Sequence, residues 1–332
     1  MSEPLRMGVL GAANIARQFI SGVQPSTLVS VTAVASRSAE KAEMFARENR
    51  VPRFHGSYEA LLADPQIDAI YIPLPNSLHA QWSIRACEAG KHVLCEKPLC
   101  TSGDEARAMF AAARRNRVHL VEGYPYRAQP QTISVLEMIH AGAIGPLRLI
   151  QSSFGFTLSS GPNIRGSAEL AGGSLMDAGS YPVSLIIMAA RERPARVTAV
   201  AHWKDGVDHA LAATLEFKSG LLAQVTSSFS SSVHRFALLA GGLGVIQTPF
   251  PNHPPAGRPA EFRVKRGIPA NQGFETVQTT ALNGFRAEAE SFAGWVRGAG
   301  RWEGATPEQS VDIAMTLEGI LQSARANRPL DL

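Results

Sequence analysis

Cysteine is scarce in this chain: three residues in 332, Cys87, Cys95 and Cys100. Three are too few for a disulfide framework, and their spacing matches no metal-ligand pattern. Buried thiols in a reducing compartment are the expectation, with no metal and a cytoplasmic location. Long apolar runs are also lacking. No stretch approaches the length of a membrane span, and Met1 to Met7 carry no apolar signal core, so no membrane partner is expected. Clustered charge is missing as well. The 32 Lys and Arg residues against 28 Asp and Glu give a net charge of +4, but they are scattered. A nucleic-acid partner would want a basic stripe with interleaved aromatics, and none is visible. With 45% hydrophobic residues the chain can bury a large core, and at 332 residues two domains are the default.

The most local absence is an acidic one: from Pro4 through Ala39 there is no Asp or Glu. That stretch opens with the apolar run Met7-Gly8-Val9-Leu10 and breaks into Gly11-Ala12-Ala13-Asn14-Ile15-Ala16, followed by a helical pattern at Ile15, Phe19 and Ile20. Gly11, Ala13 and Ala16 fill the three small positions of a dinucleotide-binding turn, where a tight bend, close approach of backbone to pyrophosphate and helix–strand packing each need a small residue. Amides at the helix start, Asn14 and Ile15 among them, would then face the phosphates. A second strand runs to Ala35 and ends at Ser36-Arg37-Ser38. An NAD site usually carries an acid about twenty positions past the glycine turn, on the ribose 2′-hydroxyl. Here Ser36 and Arg37 stand in its place, and a guanidinium is well shaped for phosphate. The expectation is NADP(H) in preference to NAD(H). The plainer alternative is that Ser38 caps the following helix and Arg37 is solvated.

Strand and helix keep alternating, the signature of a doubly wound parallel sheet. The strand Asp68 to Ile72 closes at Pro73-Leu74-Pro75-Asn76, which brings Leu74, Asn76 and His79 to the carboxyl edge where such sheets bind ligands. Asn76 is read as a ribose contact or a helix N-cap, and His79 as cofactor-facing or merely packed. The strand His92 to Cys95 stops at Glu96-Lys97-Pro98, because proline cannot continue the ladder. A lysine at such an edge, beside a carboxylate, is a candidate catalytic group; a surface Glu–Lys pair is the alternative. After Val118 to Val121, Glu122-Gly123-Tyr124-Pro125-Tyr126-Arg127 again points polar groups at that edge.

Residues 1–127 therefore read as a nucleotide-binding domain, and 128–332 as an α+β domain. In the latter, Asp177 and Tyr181 lie i, i+4 in a helical stretch after Gly172-Gly173, on one face of an otherwise apolar helix. That pairing suits proton transfer, or a buried hydrogen-bonded pair without chemistry. Strand-like runs between Arg196 and Lys265 should form an antiparallel sheet. Two closing helices, Asn283 to Arg297 and Thr306 to Asn327, are expected to pack back on the first domain.

With Gly11-Ala12-Ala13-Asn14-Ile15-Ala16, Glu96-Lys97-Pro98 and Asp177-Ala178-Gly179-Ser180-Tyr181 in this order, the chain resembles the Gfo/Idh/MocA oxidoreductase family along nearly its whole length. Asn163-Ile164-Arg165 and the tyrosine at 181 make it most similar to the branch of D-xylose dehydrogenases, glucose-fructose oxidoreductase and dimeric trans-1,2-dihydrodiol dehydrogenases. The resemblance implies a Rossmann domain, an open sheet used for homodimerisation, a cis Lys97-Pro98 bond, and a cofactor near Glu96 and Lys97. It implies hydride transfer between nicotinamide and a sugar or cyclic polyol, by aldopyranose oxidation, dihydrodiol oxidation or keto-sugar reduction. Tyr181 is expected to move the proton, Lys97 to stabilise charge on the reacting oxygen, and Asp177 to orient substrate or Lys97. Tyr126, Arg127 and Arg165 are further expected sugar contacts. A redox-assisted, NAD-dependent glycosidase and a non-catalytic nucleotide sensor of the same fold remain as rival readings.

Overall fold

A computed structural model describes residues 3–159, 161, 163–253, 258–269 and 272–332. In chain order the first half is β1 (Leu5–Leu10), α1 (Asn14–Val23), β2 (Val29–Ala35), α2 (Ala39–Glu48), β3 (Arg53–His55), α3 (Tyr58–Leu62), β4 (Ala69–Ile72), α4 (Asn76–Glu88), β5 (His92–Glu96), α5 (Gly103–Arg115) and β6 (Leu120–Gly123). The second half is α6 (Pro130–His140), β7 (Leu147–Thr157), α7 (Ser180–Ala190), β8 (Arg196–Lys204), β9 (Val207–Glu216), β10 (Leu222–Ser228), β11 (Ser230–Gly241), β12 (Gly244–Thr248), β13 (Ala260–Arg266), β14 (Glu275–Thr279), α8 (Gly284–Val296), α9 (Pro307–Ala326) and β15 (Leu330–Asp331). Among the described residues, no helix is long and apolar enough to cross a membrane. The chain forms two compact units. One comprises the residues up to Cys100 with Asp104–Ala128 and Asn283–Pro307; the other comprises Thr101–Gly103, Gln129–Leu282 and the residues from Glu308 on.

The first unit is a six-stranded parallel sheet in the order β3-β2-β1-β4-β5-β6. Its central strands are covered on both faces, so they lose the polar alternation of a half-exposed strand: all four residues of β4 are buried. On α1, Ala16, Phe19, Ile20 and Val23 recur at helical spacing and all are buried, which docks the helix on the sheet. Phe19 stacks on Tyr71 of β4 with centroids 3.8 Å apart and meets Phe285 of α8 edge-on. Each such side chain contributes roughly 1.5–3 kcal/mol by leaving water. Of the two closing helices, α8 belongs to this unit, with Phe285, Ala289, Phe292 and Ala293 in its core. The other, α9, was expected beside it but belongs to the second unit. There Ser323 accepts the Ala199 amide, and the chain end pairs with β8.

The second unit holds a nine-stranded sheet in the order β14-β13-β12-β11-β7-β10-β9-β8-β15. One face is buried and the other exposed, with burial alternating along β8, β10 and β13. The strands between Arg196 and Lys265 that pair with one another do so antiparallel, as expected, whereas β7 and β10 pair in parallel. The reason is the helix α7 between β7 and β8: a crossover of that length returns the chain in the same direction, and the β8–β9–β10 meander then brings β10 alongside β7. In the proline-rich segment from Pro249 to Pro259, residues 254–257 lie outside the described residues.

At the opposite end of the first sheet from the strands' carboxyl termini, His92 stacks against His119, and its Nδ1 accepts the His119 amide at 3.0 Å. That acceptor role requires an unprotonated Nδ1. Burial, and then the neighbouring His119, hold the His92 imidazole down at about 4, against an ordinary 6.5. An unfolded chain would take up a proton first, so this histidine favours folding above about 6.5, and the advantage drains away as pH falls through about 4. Denaturant midpoints measured from pH 7 to 4 should fall less steeply in His92→Gln than in the parent; parallel curves would refute the assignment.

Candidate active site

In the first unit, the candidate nucleotide-binding residues gather at the carboxyl ends of β1, β2, β4, β5 and β6. β1 is followed by Gly11, whose φ of +133° suits only glycine, and a Cβ there would stand 3.1 Å from Leu74. The Gly11 amide donates to the Ala35 carbonyl, which ties this turn to the end of β2. α1 then opens at Ala13 with no side-chain cap and no acid in its first turn, the arrangement an anionic phosphate would favour. At the end of β2, Ser36 is buried, Arg37 is exposed, and Ser38 caps α2 by accepting the Lys41 amide. Arg37 lies close enough to the Tyr58 hydroxyl for its charge to oppose the rise that burial gives that phenol. The backbone cradle and these side chains fit a dinucleotide.

The structure corrects several residues of this unit. Asn76 is the first residue of α4 and Pro75 the cap position, so Asn76 does not cap the helix. His79, expected at the cofactor, is 1% exposed, with Nε2 2.7 Å from the Leu74 carbonyl and Nδ1 2.8 Å from the Pro98 carbonyl. Both ring nitrogens face main chain, so it braces the two loops instead of meeting a ligand. Tyr126 and Arg127, expected at the sugar, are 0% and 1% exposed. The short turn Pro125–Ala128 folds them inward, with the Arg127 guanidinium over the Tyr124 ring.

Lys97 lies at the end of β5, half-buried, and its bond to Pro98 is cis. Glu96 is turned inward: one carboxyl oxygen accepts the Tyr71 hydroxyl at 2.5 Å and the other the Lys97 amide at 3.2 Å. Glu122 accepts the Leu99 amide at 2.9 Å, so the Glu96–Leu99 corner is held on both sides. Beneath it lies Glu288 of α8, beside Gly123. Burial first, and the nearby Glu96 next, push its carboxyl well above the ordinary range. Cys95 and Cys100 are buried here, and burial raises the Cys95 thiol well above its usual value, which leaves it unreactive. Among the described residues no group of three or more metal-ligating side chains occurs.

A second cluster of candidate residues lies in the second unit. Leu175–Gly179 is not an ordinary helical turn but a π turn, continuous with α7. Such i→i+5 turns frequently mark functional sites. Asp177, in this turn, accepts the Arg165 Nε at 2.6 Å. Arg165, expected to contact substrate, thus holds Asp177, with its side chain 44% exposed. The glycine pair before the turn is explained by contact. A Cβ on Gly172 would come 2.3 Å from the Arg165 carbonyl, and one on Gly173, at φ +112°, would come 2.2 Å from Asp208. Gly179 similarly admits Ser227 of β10.

Asp208 on β9 was not singled out by its sequence, since a lone aspartate in a strand carries no pattern. It is 1% exposed and takes both the Leu175 amide and the Ser174 hydroxyl at 2.7 Å, so it caps the π turn from outside. Burial raises its carboxyl above the ordinary value, and these hydrogen bonds oppose the rise. Tyr181 is 6% exposed, edge-on to Phe154 of β7, and its hydroxyl accepts the Asn252 amide at 2.9 Å. Over its ring, at 4.0 Å, sits the guanidinium of Arg235. Arg235 and Asn252 were also missed; the nearest signal was Asn252 standing between a proline and a histidine in a loop.

The match to known proteins follows this geometry. Residues 5–124 match the model of the oxidoreductase family with an NAD-binding Rossmann fold, and residues 133–246 that of the GFO/IDH/MocA C-terminal domain. A D-xylose 1-dehydrogenase (NADP(+)) of Haloferax volcanii is 36% identical over 99% of this chain and 100% of its own length. The trans-1,2-dihydrobenzene-1,2-diol dehydrogenase of Mus musculus is 35% identical over 73% of this chain and 74% of its own. The crystal structure of a 3-ketoreductase from Actinomadura kijaniata, in complex with NADP and TDP-benzene, superimposes with a TM-score of 0.87 at 31% identity, covering 97% of this chain and 98% of that one.

Removing the Asp208 carboxylate in Asp208→Ala leaves the Leu175 amide and Ser174 hydroxyl without this acceptor, at a cost of about 1–3 kcal/mol for each buried donor. Urea denaturation should show that loss while the first unit still binds dinucleotide. An unchanged midpoint would show that the cap is dispensable.

Proposed function

The chain belongs to the Gfo/Idh/MocA oxidoreductase family, and on that premise we propose that it moves hydride between NADP(H) and a hydroxyl-bearing carbon of an aldopyranose, keto-sugar or cyclic diol, with Lys97, Tyr181 and Asp177 as the working side chains. The observation that carries this is the pair of specialised positions, an amine held at a sheet's carboxyl edge and a phenol held at the end of a π turn, on a chain with a dinucleotide cradle. The nicotinamide, when bound, supplies or accepts the hydride. What falls to the protein is one proton and the charge on one oxygen.

In the direction of reduction, the Tyr181 O–H bond breaks as its proton passes to the carbonyl oxygen of the substrate; oxidation reverses this. The Lys97 ammonium hydrogen-bonds the same oxygen and stabilises negative charge on it. Asp177, anchored by Arg165, orients a second hydroxyl of the sugar. Ser36 and Arg37 favour NADP(H) over NAD(H), since no acid stands there to take a free ribose hydroxyl. The relatives named for xylose and for a dihydrodiol support the substrate classes. The outer face of the second sheet, where Val200, Leu222 and Phe236 are exposed, is the surface this reading gives to a second copy of the chain.

A panel of aldoses, keto-sugars and dihydrodiols, assayed with NADP and NAD in parallel by nicotinamide absorbance, tests the activity itself. Lys97→Met and Tyr181→Phe should each lower kcat/KM by about 10²–10⁴-fold with NADP affinity kept. Undiminished turnover in either variant removes that residue from the mechanism. Arg37→Ala should raise the KM for NADP by about tenfold or more and leave that for NAD alone. An equal effect on both cofactors would refute the 2′-phosphate assignment.

A further inference from the structure

The geometry points to Arg235 and Asn252 as positioning residues that act through Tyr181, fixing where its proton points and stabilising the phenolate left when that proton departs. This rests on the role given to Tyr181 above. A guanidinium has only N–H groups to offer, so the Asn252 side-chain atom facing Arg235 Nη2, at 3.3 Å, must be Oδ1. The amide orientation of Asn252 is thereby settled, and Nδ2 faces the Tyr181 hydroxyl at 2.9 Å. Tyr181 is therefore the acceptor in that contact. Its own hydrogen therefore points away from Asn252.

The arrangement is held from behind. Gln129, 1% exposed, donates to the Asn252 carbonyl and to the Leu282 carbonyl, both at 2.8 Å, which pins the main chain that carries Asn252. The Arg235 guanidinium lies 4.0 Å from the Tyr181 ring centroid, 4.7 Å from that of Phe250 and 4.9 Å from that of Phe154. Three aromatic faces around one cation remove most of its water, and a partly desolvated charge interacts more strongly with what it faces. The same cation, after burial, helps to hold His253 below its ordinary value.

Both contacts strengthen as Tyr181 loses its proton. The Asn252 N–H then donates to an oxygen bearing negative charge, and charge-assisted hydrogen bonds are roughly twice as strong as neutral ones. The Arg235 cation then faces a ring that shares that charge. Interactions that grow along the reaction lower its barrier, whereas those equal in both states do not. A cation–π contact alone acts without reference to the reaction, so the signature must be sought in kcat.

The experiment is a double-mutant cycle with Arg235→Met and Tyr181→Phe, using Asn252→Ala as a second, milder perturbation and Arg235→Lys as the conservative variant. Expected are a fall in kcat of about tenfold or more in Arg235→Met, unchanged KM for sugar, unchanged NADP affinity, and substantial recovery with Lys. Arg235→Met should add little in a Tyr181→Phe background, because its partner is already gone. Asn252→Ala should lower kcat in the same way and increase the solvent isotope effect. Unchanged kcat in both Arg235→Met and Asn252→Ala, or full additivity of Arg235→Met with Tyr181→Phe, overturns the inference. Undiminished turnover in Tyr181→Phe alone would instead overturn the mechanism beneath it.

Discussion

A carboxyl group taken into a protein interior has to be met by donors, and the Tyr71–Glu96 hydrogen bond is where the first unit meets that demand. Tyr71 sits in the middle of the core, stacked on Phe19 of α1, the helix that opens at the dinucleotide turn. Glu96 is the last residue of β5 and accepts the amide of Lys97. One chain of contacts therefore runs from the helix behind the glycine turn, through two packed rings and a carboxyl, to the backbone that carries the amine. His79 and Glu122 clamp the other side of the same corner through the Pro98 carbonyl and the Leu99 amide. A lysine side chain is long and flexible, and a site that needs its ammonium in one place must fix the backbone beneath it.

The second unit solves the corresponding problem with a buried carboxyl of its own. Asp208 reaches from β9 into the start of the π turn, at a point where glycine alone leaves room for it. Asp177 and Tyr181 are thus placed by a strand that follows them in the chain, and Arg165 is placed by the glycine pair that precedes them. In both units a polar residue with little or no exposure fixes the backbone that carries a candidate site residue. Burial makes these contacts strong, and it makes their loss costly.

Much of this could be read from the residues in order. Gly11, the Ser36-Arg37 strand end, Glu96-Lys97-Pro98 and the Asp177–Tyr181 pair carry their meaning locally, because a turn, a strand end or a helical spacing depends on neighbours a few positions away. What could not be read depends on sheet register. Arg235 meets Tyr181, and Asn252 meets both, only because β7 lies between β10 and β11. Nothing in a run of ten residues encodes that insertion. The π turn was invisible for a different reason: no propensity distinguishes an i→i+5 turn from an α-helical one. Tyr126 and Arg127 were read as ligand contacts because polar residues just past a strand end suggest one, whereas the structure buries both side chains, and His79 follows the packed alternative.

The account depends most on the claim that the interior of the first unit sets the Lys97 corner. Tyr71→Phe tests this directly, since it removes one hydroxyl from the core and touches neither cofactor nor substrate. The predicted result is a kcat lowered by about tenfold, with cofactor affinity unchanged, because Glu96 loses a donor and the corner loosens. A variant that folds and turns over at the parental rate would contradict the account.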